Sequence, residues 1–222
     1  MSVKALILHA AVIVALFLLQ FVASDYVVLT LTRIMVLAIY AVGYNILFGY
    51  TGLLSLGHAM FFATGLYAAS LGVTRLGLGI PEAFLLAVLT GVIVSLVIGL
   101  IMRVTQFDRE TATAFGIPVN QVYAGVFVAG AALVAIAAVL IVPIQQAHYL
   151  MGLDPLLMSF IVVIIGGLGS IKGSVIAAVI IGMADGVISM FFSPTLASII
   201  ATLAVALVLV VRPQGLFGVA AR

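Results

Sequence analysis

The chain has no cysteine, no tryptophan and only 6 prolines in 222 residues. Without cysteine there is no disulfide and no thiolate metal site. Charge is almost as scarce: 8 Lys/Arg and 6 Asp/Glu amount to 6% of the residues, where soluble domains carry about a quarter. So few basic residues, so scattered, exclude a nucleic-acid footprint. There is no Gly-x-x-x-x-Gly-Lys-Ser/Thr loop for a nucleotide. No Ser-His-Asp set, carboxylate pair or metal-ligand spacing is present, so neither catalysis nor a cofactor or metal is expected. Linkers rich in Pro or Ser are missing too. What remains is apolar, with 66% hydrophobic residues. A soluble globule of this size cannot bury that much apolar surface. The expectation is an all-α integral membrane protein, a polytopic helical bundle of one domain over residues 1–222, surrounded by membrane lipid.

The apolar runs predict about eight transmembrane helices. Residues 5–23 are longer than the 7–15-residue core of a signal peptide, which favours a retained span. Further spans are predicted at 27–48, 58–73, 83–102, 121–142, 156–168, 175–192 and 195–211. The run 156–168 is short unless it continues from Tyr149. Two glycine-rich stretches interrupt the bundle. One carries Gly49, Gly52 and Gly57, the other Gly166, Gly167, Gly169 and Gly173. Glycine weakens a helix interior and permits tight turns and close backbone approach, so both stretches are expected to be glycine-broken segments. Their mutual likeness is weak, and two independent breaks are favoured over a true repeat.

Residues 103–120 differ from the rest, holding Arg103, Asp108, Arg109 and Glu110 among few other charges. Asp108–Phe115 has helix-forming character, Gly116 is a stop signal and Pro118 follows, which predicts a short surface helix outside the bilayer. With eight spans and the N-terminus inside, Lys4, Arg103, Arg109, Lys172, Arg212 and Arg222 are cytoplasmic, six of the eight basic residues. The positive-inside rule therefore places both termini and both glycine-rich stretches on the cytoplasmic side.

Few polar residues fall inside the spans. Arg33 is expected to snorkel to the interface. Asn45 can bond across helices, and His58 is read first as a polar packing residue bonded to a neighbouring helix. Asp185 is an intramembrane carboxylate and so a functional candidate, with Lys172 or Arg212 as alternative structural partners. Together with Ser55, these residues Asn45, His58 and Asp185 are the candidates for a translocation pathway. Gln145, Gln146 and His148 fall in a loop outside the membrane.

Three separated motifs resemble the permease subunits of branched-chain amino acid ABC importers, the LivH/LivM family. The first is Tyr44-Asn45-Ile46-Leu47-Phe48-Gly49, continuing through Gly52, Ser55, Gly57-His58-Ala59 and Phe61 to Gly65-x-Tyr67. The second is Gly166-Gly167-Leu168-Gly169-Ser170-Ile171-x-Gly173. The third is Arg212-Pro213-x-Gly215-Leu216-Phe217-Gly218. The loop at 103–120 resembles the cytoplasmic coupling loop of ABC permeases, since Glu110, Ala112 and Gly116 keep the family's Glu-Ala-Ala-x-x-x-Gly spacing with Thr111 in the middle.

The resemblance implies a permease of a bacterial or archaeal cell (inner) membrane that moves branched-chain amino acids, or a related amide or urea, by alternating access. It implies two ABC ATPase subunits, a second permease, homologous or identical, and a periplasmic or lipid-anchored solute-binding protein. Asp108, Arg109, Glu110, Ala112, Phe115 and Gly116 would form the helix that docks on the ATPase. The chain departs from the family where Leu100-Ile101-Met102 runs straight into Arg103, without the additional transmembrane segment that members carry there. An ion-coupled carrier or channel using Asp185 and His58, and a shortened permease that does not transport, are the alternatives.

Overall fold

A computed structural model of the chain describes residues 3–52, 57–102, 119–145, 147–148 and 151–218. Among the described residues the structure is all-α, with eight helices. These are α1 (Val3–Leu19), α2 (Asp25–Thr51), α3 (His58–Leu76), α4 (Ile80–Met102), α5 (Val119–Ile141), α6 (Leu153–Gly166), α7 (Ile171–Phe191) and α8 (Pro194–Val211). Helices α2, α4, α5, α7 and α8 are long and apolar enough to cross a membrane. Helix α6 has 14 residues, or about 21 Å of rise against a hydrocarbon core of about 30 Å. The short run expected at 156–168 is thus short in fact.

Helix α2 is the hub and packs against α5, α6 and α7, while α3, α4 and α5 pack on one another and α8 closes against α6 and α7. Burial along α7 explains the packing. Gly173, Ser174, Ala177, Ala178 and Ile181 face inward, whereas Val175, Ile176, Val179, Ile180 and Met183 are exposed. Small residues on the inner face let helix backbones approach, and the large apolar ones are left for lipid. Helix α1 lies apart from this core, its described side chains exposed.

The glycine-rich stretches are less broken than expected. Helix α2 runs through Gly49 and stops only at Gly52, which adopts φ +70° and returns its N–H to the Phe48 carbonyl. In the second stretch only 167–170 is non-helical. Helix α7 starts early because the Ser170 hydroxyl accepts the Gly173 N–H and caps it. Gly49 and Gly173 are therefore helical residues, and their lack of a side chain serves packing rather than a turn.

The helices alternate in direction. The start of α2, the end of α5, the start of α6, the end of α7 and the start of α8 surround one cavity. The end of α2, the end of α6 and the start of α7 meet at the opposite pole.

Candidate functional site

At the glycine pole, Asn45 is fully buried on α2. Its Nδ2 donates to Ser174 Oγ at 2.8 Å, and its Oδ1 accepts the Gly169 N–H at 2.9 Å. One amide thus satisfies a loop donor and a helix hydroxyl where the Asn45 and Ser174 side chains are fully buried. A Cβ on Gly49 would overlap Asn45 Oδ1 and the Gly169 backbone. A Cβ on Gly166 would lie 2.6 Å from the Gly173 carbonyl oxygen. The third motif docks on the second: the N–H groups of Leu216 and Phe217 donate to the carbonyls of Ile165 and Gly166 at 2.8 and 3.1 Å. Those carbonyls belong to the last turn of α6 and have no partner within the helix. The three sequence motifs therefore form one backbone node.

Asn45 is a clamp in this node. Replacing it with Ala strands the Gly169 N–H and the Ser174 hydroxyl, and is expected to cost about 2 kcal/mol of stability. Thermal melting of the purified protein measures this, with Ser174→Ala as the milder comparison. An unchanged melting temperature would refute the clamp.

Above the node lies an aromatic layer. The His58 ring stands edge-on to Tyr44, Phe61 and Phe127 at centroid distances of 5.2, 5.5 and 6.3 Å, and Tyr44 also meets Phe48 and Phe160. His58 is fully buried. Neither of its ring nitrogens, nor the hydroxyl of Tyr40 or Tyr44, has a hydrogen-bond partner among the described residues. The expected interhelical bond from His58 is therefore replaced by aromatic edges. Because a buried unpaired polar group destabilises, His58→Phe is expected to raise stability by about 1 kcal/mol. Chemical denaturation of the two proteins side by side would reveal it, and a drop instead would mean that the imidazole has a partner.

At the far pole is a cavity of about 660 Å³, lined by Arg33 and Tyr40 of α2, Asp154 of α6, Asp185 of α7 and Gln145 after α5. Asp185 shares it with Arg33, a residue read from sequence as snorkelling to the interface. Lys172 and Arg212 do not line it: they sit at the glycine pole, Lys172 in the first turn of α7 and Arg212 just after α8. The pathway candidates are thus dispersed, with Asn45 in the node, His58 in the aromatic layer and Asp185 at the cavity. Ser55 lies outside the described residues, as do Asp108, Arg109, Glu110, Ala112, Phe115 and Gly116. Sequence reasoning missed Tyr40 and Arg33 as cavity residues. The signal was the spacing of Tyr26, Thr30, Arg33, Leu37 and Tyr40, which is one face of a helix.

A family model described as branched-chain amino acid transport system / permease component matches residues 26–104 and 97–211. The two matched segments overlap across the place where Met102 runs into Arg103. Among curated relatives, the high-affinity branched-chain amino acid transport system permease proteins LivH of Escherichia coli (strain K12) and of Salmonella typhimurium are each 32% identical over 117 residues. That stretch is 52% of this chain and 38% of each relative. The corresponding permease protein BraD of Pseudomonas aeruginosa is 32% identical over 123 residues, 54% of this chain and 40% of the relative. The matched region is thus well under half the length of these relatives. No solved structure matches the chain. With the family model covering nearly everything from α2 through α8, the chain belongs to the branched-chain amino acid transport system permease family.

Proposed function

We propose that this chain is the membrane permease subunit of an ABC importer that carries branched-chain amino acids or a related small solute across a bacterial or archaeal cell membrane. The observation that carries the reading is the convergence of the three motifs on the Asn45 node, which makes one structural unit of three distant stretches. In this reading the node marks the cytoplasmic pole, with both termini on that side, and the cavity opens outward. Residues 103–118 join the end of α4 to the start of α5, and α5 runs from the node pole to the cavity. The ATPase-docking helix is therefore assigned to the node pole. Two ATPase subunits supply the free energy, a second permease completes the pathway and a binding protein delivers solute at the cavity pole.

The test is co-expression with candidate ATPase subunits. Co-purification, together with ATP-dependent uptake of radiolabelled leucine into vesicles, is the expected result. Uptake driven by an ion gradient without any ATPase would sink the reading. The split family match at 97–104 favours a second outcome. A shortened permease would bind the ATPases and move no solute.

A further inference from the structure

Helices α2 and α7 cross closely beside the cavity. A Cβ on Gly182 would lie 2.7 Å from Ile34 Cγ1, and one on Gly186 would lie 2.7 Å from Thr30 Cγ2. The Tyr26 hydroxyl donates to the Gly186 carbonyl at 2.6 Å and ties the crossing. Arg33 lies one turn along α2 from Thr30, and Asp185 lies between the two glycines of α7. The crossing therefore brings one cationic side chain, Arg33, and one anionic side chain, Asp185, into the lining of the same cavity, where Asp154 of α6 is a second carboxylate. Val36, Leu37, Ile141, Met158 and Ile181 supply an apolar floor and flank. The volume falls within the range of about 300–1,000 Å³ that small-molecule sites occupy.

We propose that this cavity is a binding site for a zwitterionic α-amino acid with an apolar side chain, its carboxylate held by Arg33 and its ammonium by Asp185. The chemistry selects this class. A guanidinium matches a carboxylate with two parallel N–H donors, and a carboxylate accepts an ammonium in charge-assisted bonds. A zwitterion presents both groups on one carbon and leaves its side chain to the apolar wall. A urea or simple amide carries neither charge. A free cation would meet Asp154 and Asp185 but also the repulsion of Arg33. The proposal deepens the permease reading and rests on it, since it places the solute at the pole opposite the ATPase-docking end.

The test uses the full chain in lipid nanodiscs and equilibrium binding of radiolabelled leucine. Leucinamide, which lacks the carboxylate, and 4-methylpentanoate, which lacks the ammonium, serve as competitors. The wild-type protein is expected to prefer leucine over each by about tenfold. Arg33→Gln should lower leucine affinity by about tenfold and abolish the preference over leucinamide, while the preference over 4-methylpentanoate survives. Asp185→Asn should give the mirror pattern. Should a neutral variant fail to fold, Arg33→Lys and Asp185→Glu displace the charge without removing it, and each should weaken leucine alone. Failure of the wild-type protein to bind leucine overturns the proposal. So does binding of leucine unchanged in the variants, and so does parallel loss of all three ligands, the behaviour of a structural ion pair. Leucine uptake by the assembled importer separates the two levels. Uptake retained with an unchanged KM in both variants removes the site and leaves the permease standing, whereas no uptake together with no ATPase association by the wild-type chain removes the permease reading itself.

Discussion

Gly49→Ala is expected to cost the protein about 3 kcal/mol of stability. The added carbon would overlap both Asn45 Oδ1 and the Gly169 backbone. Neither neighbour can yield: Asn45 is held by Ser174 on its other side, and Gly169 is backbone in the left-handed region at φ +78°. Relief requires α2 to move away from the 167–170 turn, which breaks the Gly169–Asn45 hydrogen bond as well. Gly125→Ala is the control, since a Cβ there meets nothing within 4 Å. As an interior helix glycine it should gain about 0.5–1 kcal/mol on becoming Ala. Thermal melting of both variants, with the yield of folded protein in the membrane, decides the matter. Equal melting temperatures would mean that the Gly49 contact does not hold the node.

The second large effect is on transport. Gly116→Asp is expected to abolish ATP-dependent uptake, and Glu110→Ala to reduce it by about tenfold or more, as loss of an interface hot spot does. Both residues lie outside the described structure, and the expectation rests on the family spacing Glu110-x-Ala112-x-x-x-Gly116. The sequence pattern marks Gly116 as a helix stop, and a charged side chain at such a stop is expected to disturb the return of the chain toward α5. In the proposed docking, Glu110 would make a charge-assisted contact to the soluble partner, which the Ala variant would lack. The discriminating measurement pairs uptake with ATPase co-purification. Lost uptake with lost association supports a docking helix. Both measurements unchanged would exclude one and with it the ABC reading.

Much of this fold was legible because lipid imposes simple rules. Helix positions followed from apolar length, although of the eight expected spans only α2, α4, α5, α7 and α8 are long and apolar enough to cross a membrane among the described residues, and the family followed from glycine motifs in fixed order. The inward faces were not legible. In α7 the lipid-facing Val175, Ile176 and Val179 are as apolar as the inward Ala177, Ala178 and Ile181, so hydropathy gives no orientation. Only residue size separates the faces. The individual polar residues were harder still. Asn45 was readable as an interhelical bonder, yet its partners lie 124 and 129 positions away, and no local pattern encodes them. In sequence Arg33 reads as an isolated charge about a third of the way into its span. Its place beside Asp185 depends on the crossing at Gly182 and Gly186, which is a tertiary fact. For His58 the expectation of a hydrogen bond rests on analogy with other intramembrane polar groups, but three aromatic side chains, Tyr44, Phe61 and Phe127, surround its ring instead.

The docking of Leu216 and Phe217 on the carbonyls of α6 has a consequence for biosynthesis. Helix α2 is made and inserted long before residues 165–174 exist, so Asn45 enters the bilayer without either of its eventual partners. Those partners arrive with α6 and α7, and the α6 carbonyls are still open until the ribosome has passed residue 217. The node is thus a late checkpoint. A nascent chain arrested before that point carries every membrane helix described here but not the latch that fastens the last of them to the rest. Quality-control proteases that sense exposed polar groups in the bilayer would meet such a chain with its Gly166 carbonyl unpaired.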